Sequence, residues 1–306
     1  MSPTPPDRGL LATVRSVASA RRFRLWAVTV LAIVGLLSVQ AVWPELRITP
    51  VFEQVGPAAM LWLFVVALAC EYIDSALGMG YGTTLTPLLL LAGFEPLAIV
   101  PCVLFSEFVT GLLATVMHHR DGNVDFFGDR QARQTAVLLS ALSVVGTVAA
   151  VSLALSVPKW WLTAVIASIV LSVGVVTLAT AGRRLRYRRG HLLGLGAVAA
   201  FNKGLSGGGY GPLVTAGQVI SGLSPKHAVA ITSLAESLTC LVGLAAYLAL
   251  GRTVDWPLAA PLTLGALLSV PLATLSVRSL SEKTMRLCVG SVTCGLGLLA
   301  FVKLFQ

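Results

Sequence analysis

Residues 74–87 read DSALGMGYGTTLTP, and residues 203–216 read KGLSGGGYGPLVTA. Each is a glycine-rich interruption of a strongly apolar segment. Irregular backbone is tolerated at membrane depth only where it is buried in protein or lines a watery cavity, so the two interruptions mark a binding site. Adding 129 to Gly78, Gly80, Tyr81 and Gly82 gives Gly207, Gly209, Tyr210 and Gly211, and the register continues without a gap from Thr86, Gly93, Pro96, Glu107 and Thr110 to Thr215, Gly222, Pro225, Glu236 and Thr239. The chain is therefore an internal duplication. Interrupted hydrophobic segments at matching places in two halves are the strongest sequence pointer to the substrate site of a secondary transporter.

Composition agrees. Of 306 residues, 56% are hydrophobic and 11% charged, and the mean hydropathy of +0.85 fits an all-α polytopic membrane protein. The net charge of +9 does not point to nucleic acid, because the basic residues cluster in loops between apolar runs, where they orient a membrane chain. Five cysteines, odd in number and all in apolar segments, exclude a disulfide framework and a zinc site. No phosphate loop, nucleophile elbow or HExxH is present, so neither an enzyme nor a cofactor is expected.

The apolar runs predict helices at 25–42, 96–117, 134–156, 160–181, 227–250, 256–277 and 285–302. The broken segments 57–93 and 191–221 are read as re-entrant hairpins, because their limbs, such as 191–205 and 210–221, are shorter than the roughly 20 residues a span requires. Charge supports this. If both hairpins return to the side they entered from, 17 of the 22 Lys and Arg residues share one side and only Arg47, Lys159, Arg252 and Lys303 lie on the other. Full crossings would divide them 10 against 11, against the positive-inside rule. The expected architecture is seven transmembrane helices and two re-entrant hairpins in two inverted repeats. Its parts are a cytoplasmic arm (1–24), an extra first helix with an external loop (25–56), a first repeat (57–182), a basic cytoplasmic linker (183–190) and a second repeat (191–306). The expected location is the plasma membrane of a prokaryote, with the N-terminus cytoplasmic.

Asp74, Glu107, Lys203 and Glu236 lie within apolar runs. Facing lipid, each would cost about 3 kcal/mol. Glu107 and Glu236 are read either as structural caps or, with Asp74, as gating or coupling groups for a proton or sodium ion. Asp74 and Lys203 occupy equivalent positions with opposite charge; they either pair with each other, or Lys203 offers its charge to a bound anion. The half-helices after each break would aim free N–H groups at the midplane, which suits an anion. The substrate-binding set is then Gly78, Gly80, Tyr81, Gly82 and Thr83 from the first break, with Asn202, Lys203, Ser206, Gly207, Gly208, Gly209, Tyr210 and Gly211 from the second. Thr84, Thr215 and Gln218 are further donors. His118, His119, Asp121 and Asp125 are read as solvated or capping groups rather than metal ligands.

The stretch DSALGMGYGTTLTPLLLLAGFEP, the pair Ser106–Glu107, GNVDF at 122–126, AFNKGLSGGGYGPLVTAGQ and AITSLAES at 230–237 resemble the TauE/SafE family of sulfite exporters over about 57–305. The resemblance implies a permease for a small, often sulfur-containing anion such as sulfite, sulfoacetate or thiosulfate, in a lipid bilayer and with homo-oligomers as an open option. Asn202 and Lys203 stand where many relatives carry small residues, which points to a different anion preference. An anion channel, or an importer of another small solute, is the alternative.

Overall fold

A computed structural model describes residues 28–40, 42, 55–78, 81–180, 189–220, 223, 225–276 and 282–303. They form helices joined by short turns. After α1 (Val28–Gln40) come α2 (Pro57–Leu77), α3 (Tyr81–Leu91), α4 (Pro96–Arg120), α5 (Arg130–Ser156) and α6 (Lys159–Thr180). The second half holds α7 (Arg189–Ser206), α8 (Tyr210–Ile220), α9 (Pro225–Ala249), α10 (Trp256–Ser276) and α11 (Glu282–Lys303). The 129-residue offset carries the start of α3 onto that of α8, and both ends of α4 onto those of α9. Proline opens α2 and α4 just after an extended residue, where its missing N–H costs nothing. Asp129 caps α5 by accepting hydrogen bonds from the Gln131 and Ala132 amides.

Six described helices, α2, α4, α5, α6, α9 and α10, are long and apolar enough to cross a bilayer. Leu138, Val145, Val148, Val175 and Leu298 point outward from them and from α11, as lipid-facing side chains do. The protein is an integral membrane protein. The six differ from the seven expected. Nothing interrupts the helix between Pro57 and Gly78, so α2 runs for 21 residues and is more than half a span. The first helix is described only in part, and α11 carries Glu282, Lys283, Arg286 and Lys303 at its ends. Gly80, the arm at 1–24, residues 44–54 and the basic cluster at 183–188 lie outside the described residues.

Hydrogen bonds fix the path through the first break. Glu71 accepts from Thr110, and the Ser75 carbonyl meets His118 Nε2 at 3.0 Å, so α2 runs parallel to α4. Tyr81 meets Ser106 and the Gly82 amide donates to Glu107, so α3 starts halfway along α4; a short turn joins its end at Leu91 to the start of α4 at Pro96, so it runs antiparallel to α4. α2 and α3 thus run in opposite directions along α4. At 21 residues α2 is longer than the half-helix limbs expected from sequence.

The two halves face opposite ways. Ser237 donates to the Phe108 carbonyl, a residue 129 positions earlier, and a Cβ placed on Gly111 would come within 2.9 Å of Ser237 Cβ, while one placed on Gly243 would come within 3.0 Å of Leu104. The equivalent helices α4 and α9 are therefore antiparallel. The same holds for α6 and α11, where Gly174 abuts Cys294, Gly290 abuts Leu178 and Gly297 abuts Leu171. Small residues at these crossings let backbones approach closely, which drives helix association in lipid.

The ends differ in chemistry. At one, Asn123 donates to the Thr274 carbonyl and Thr274 to Asp121, close to Arg120, Arg130, Arg133 and Lys226. At the other, Lys159 pairs with Glu95 at 2.5 Å, and Trp160, Trp161 and Trp256 are exposed. The lysine hydrogen bond holds the exposed Glu95 carboxyl below its usual range. At the basic end the Gly128 amide does the same for Asp125.

Candidate functional site

The two breaks meet in the interior. Gly78 and Gly207 both close the preceding helix in the left-handed conformation, with φ of 67° and 73°, the usual glycine C-cap. Thr215 donates to the Gly78 carbonyl, and the Gly209 amide donates to Thr83. A Cβ on Gly208 would lie 2.7 Å from the Thr83 amide nitrogen, and one on Gly82 would run into the Gly207 carbonyl. Backbone rests on backbone here, and no room is left between the tips for a ligand.

Beside the tips lies a buried ion cluster. Lys203, in the last turn of α7, is fully buried. Its ammonium is held by Glu107 of α4 and by Glu236 Oε1 of α9 at 2.7 Å. Among the described residues it does not pair with Asp74. A unit charge pair about 4 Å apart at an effective dielectric of about 20 is worth about 4 kcal/mol, and an ammonium at the negative end of a helix is favourably placed. Glu107 also accepts from the Gly82 amide, so it joins α4, the start of α3 and α7. Tyr81 and Tyr210, Asn202, Ser206 and Gly211 are buried around the same point, and Ser206 folds back onto the Asn202 carbonyl and the Gly208 amide.

On the side toward the basic end, a small cavity of about 10 Å³, room for about one water, is lined by Glu71, Asp74, Glu107, Thr110, Ser233 and Glu236, among others. Four carboxyls thus face one ammonium. Glu71 is tied down by Ser75 at 2.6 Å and Thr110 at 3.1 Å. Asp74, half-buried, lies in the last turn of α2, whose dipole disfavours a carboxylate there.

Equivalent positions share some contacts and break others. The Ser75 carbonyl meets His118, and its counterpart, the Gly204 carbonyl, accepts from Tyr247, the residue 129 after His118. His118 is thus wholly buried and caps a neighbouring helix, the capping role of the two read for it from sequence. Tyr81 bonds Ser106, whereas the Tyr210 hydroxyl turns to Thr239 and Ser143, since Ala235 stands at the equivalent of Ser106. Tyr81→Phe and Tyr210→Phe are each therefore expected to cost about 1 kcal/mol; thermal unfolding of the two variants checks this.

Sequence reading missed Glu71, Tyr247 and Thr232, which accepts from Gln218 and hydrogen-bonds the Thr215 hydroxyl. Glu71 escapes a search built on the repeat because its counterpart is Ala200. Its place one helical turn before Asp74 was the available signal. Among the described residues, no group of three or more His, Cys, Asp and Glu could hold a metal ion.

The model of the sulfite exporter TauE/SafE family matches residues 63–300. The chain belongs to this family. A curated relative, named as the probable membrane transporter protein YtnM of Bacillus subtilis (strain 168), is 29% identical over 238 residues, which span 74% of this chain and 77% of the relative. No solved structure matches the chain. Family and relative together support a membrane transporter.

Proposed function

We propose that the protein is a secondary transporter that exports a small anion, such as sulfite or another sulfur-containing oxyanion or organosulfonate, across the plasma membrane of a prokaryote. The anion binds where the two glycine tips meet, once they part. The observation that carries this reading is the meeting of the breaks beside Lys203: the starts of α3 and α8 and a buried ammonium converge on one interior point, as an anion requires. The antiparallel arrangement of α4 and α9 supports two inverted repeats, so that rocking of one half against the other would open the site to alternate sides. Placing the basic end in the cytoplasm follows the positive-inside rule and puts residues 1–24 there as well.

The close packing of Gly82 on Gly208 favours a carrier over a pore. Proteoliposomes preloaded with unlabelled sulfite, thiosulfate or sulfoacetate should show saturable counterflow of the labelled anion. Flux that is linear in concentration and shows no counterflow would establish a pore, and the absence of flux for all three anions would remove the anion reading.

A further inference from the structure

Two features call for more than anion binding. Lys203 is not free: carboxylates from two different helices hold its ammonium. Beside this triad, the cavity runs toward the basic end past Asp74 and Glu71. Resting on the anion reading, we propose that Glu107, Lys203 and Glu236 form a proton-released latch: the ammonium becomes available to an anion at the parted tips only when protons, arriving through this cavity, neutralise the carboxylates that hold it.

Charge count gives the reason. With both carboxylates ionised the triad carries one net negative charge and repels an anion. With both protonated it carries one positive charge, which an anion can neutralise. Each step moves one proton from cavity water to a carboxylate oxygen, and Lys203 keeps its charge throughout. The tips respond because Glu107 also holds the Gly82 amide, 3.1 Å away, and a neutralised carboxyl holds an amide donor less strongly.

The groups facing the triad make a route. From α2 come Glu71 and Asp74, of which Asp74 is the more accessible. From α9 comes the Cys240 thiol, which points at Glu107 from 3.7 Å. The neutral hydroxyls of Tyr81 and Tyr210 close the far side, and His118 lies beyond Ser75 toward the basic end. No second cation among the described residues touches the cluster, so the excess negative charge in a low-dielectric interior is relieved by protons.

Infrared difference spectra of the purified protein in lipid nanodiscs between about pH 8 and about pH 5 read the carboxyls directly. A carboxylic-acid C=O band is expected to grow on acidification and to lose amplitude in Glu107→Gln and in Glu236→Gln; if one variant fails to fold, the other carries the test. Thiosulfate flux in proteoliposomes should rise as pH falls, by up to about a hundredfold per pH unit where both carboxylates are ionised, and should respond less steeply in the same variants. A band that does not titrate, or identical pH profiles in wild type and both variants, overturns the latch. A titrating band with no flux of thiosulfate, sulfite or sulfoacetate instead overturns the anion reading and removes the latch's cargo, whereas pH-independent flux overturns the latch and leaves the anion reading standing.

Discussion

Lys203→Met is expected to be the most damaging single substitution in the protein, lowering stability by about 3–5 kcal/mol. Lys203 has no exposed surface and sits between Glu107 and Glu236, so its removal leaves two buried carboxylates facing each other without a counter-ion. The cost belongs to the stranded charges more than to the lost side chain. It should therefore be largely recovered in the triple variant Lys203→Met, Glu107→Gln, Glu236→Gln, whose groups are neutral and similar in volume. Thermal unfolding in detergent compares the two. Full stability of the single variant would mean that the triad is solvated and holds nothing together. Flux separates structure from function: the triple variant should fold and fail to transport, and wild-type transport by it would remove Lys203 from the anion site.

Gly208→Ala is expected to cost about 1–3 kcal/mol and to abolish transport. The added Cβ would lie 2.5 Å from the Gly82 carbonyl carbon and 2.7 Å from the Thr83 nitrogen. Both are backbone atoms, so no side chain can swing aside, and the tips must separate. Gly82→Ala should behave alike, since its Cβ would meet the Gly207 carbonyl. Neither residue has a positive φ, which isolates the effect of space from backbone strain. Gly295→Ala is the control: its Cβ would meet open space, and it should stabilise α11 by about 0.5–1 kcal/mol through helix propensity. Unfolding of the three variants tests tip contact, and a Gly208→Ala protein as stable as Gly295→Ala would show that the tips do not touch.

Much of this fold was legible because glycine and charge are local signals. The offset of 129 matches α3 to α8 and α4 to α9, and the loop charges favour hairpins over crossings. Limb length was not legible. Residues 57–77 lack a breaker, but nothing in them says whether they stop at the midplane or run past it; only packing along α4 and α10 decides. The site was half legible. Asp74, Glu107, Lys203 and Glu236 stood out as charges in apolar runs, but which acid pairs with Lys203 depends on how α4, α7 and α9 cross, and no spacing encodes that. Repeat logic offered Asp74, the equivalent residue, as one of two alternatives for Lys203, the other being a bound anion. Two-fold symmetry instead places Lys203 against the acids of both long helices. The same logic hid Glu71, whose counterpart is alanine, and His118, whose counterpart is tyrosine.

The central claim is that the chain turns back at the first break, so that both limbs open on one face. Single cysteines at Gly56 and Glu95, both exposed, introduced one at a time into a cysteine-free protein and treated with a membrane-impermeant thiol reagent, test it directly, with Asp125 as the opposite-face control. Labelling of Gly56 and Glu95 from the same side, opposite to Asp125, is the result predicted here. Labelling of Gly56 and Glu95 from opposite sides would mean that the broken segment crosses the bilayer, and would contradict the account.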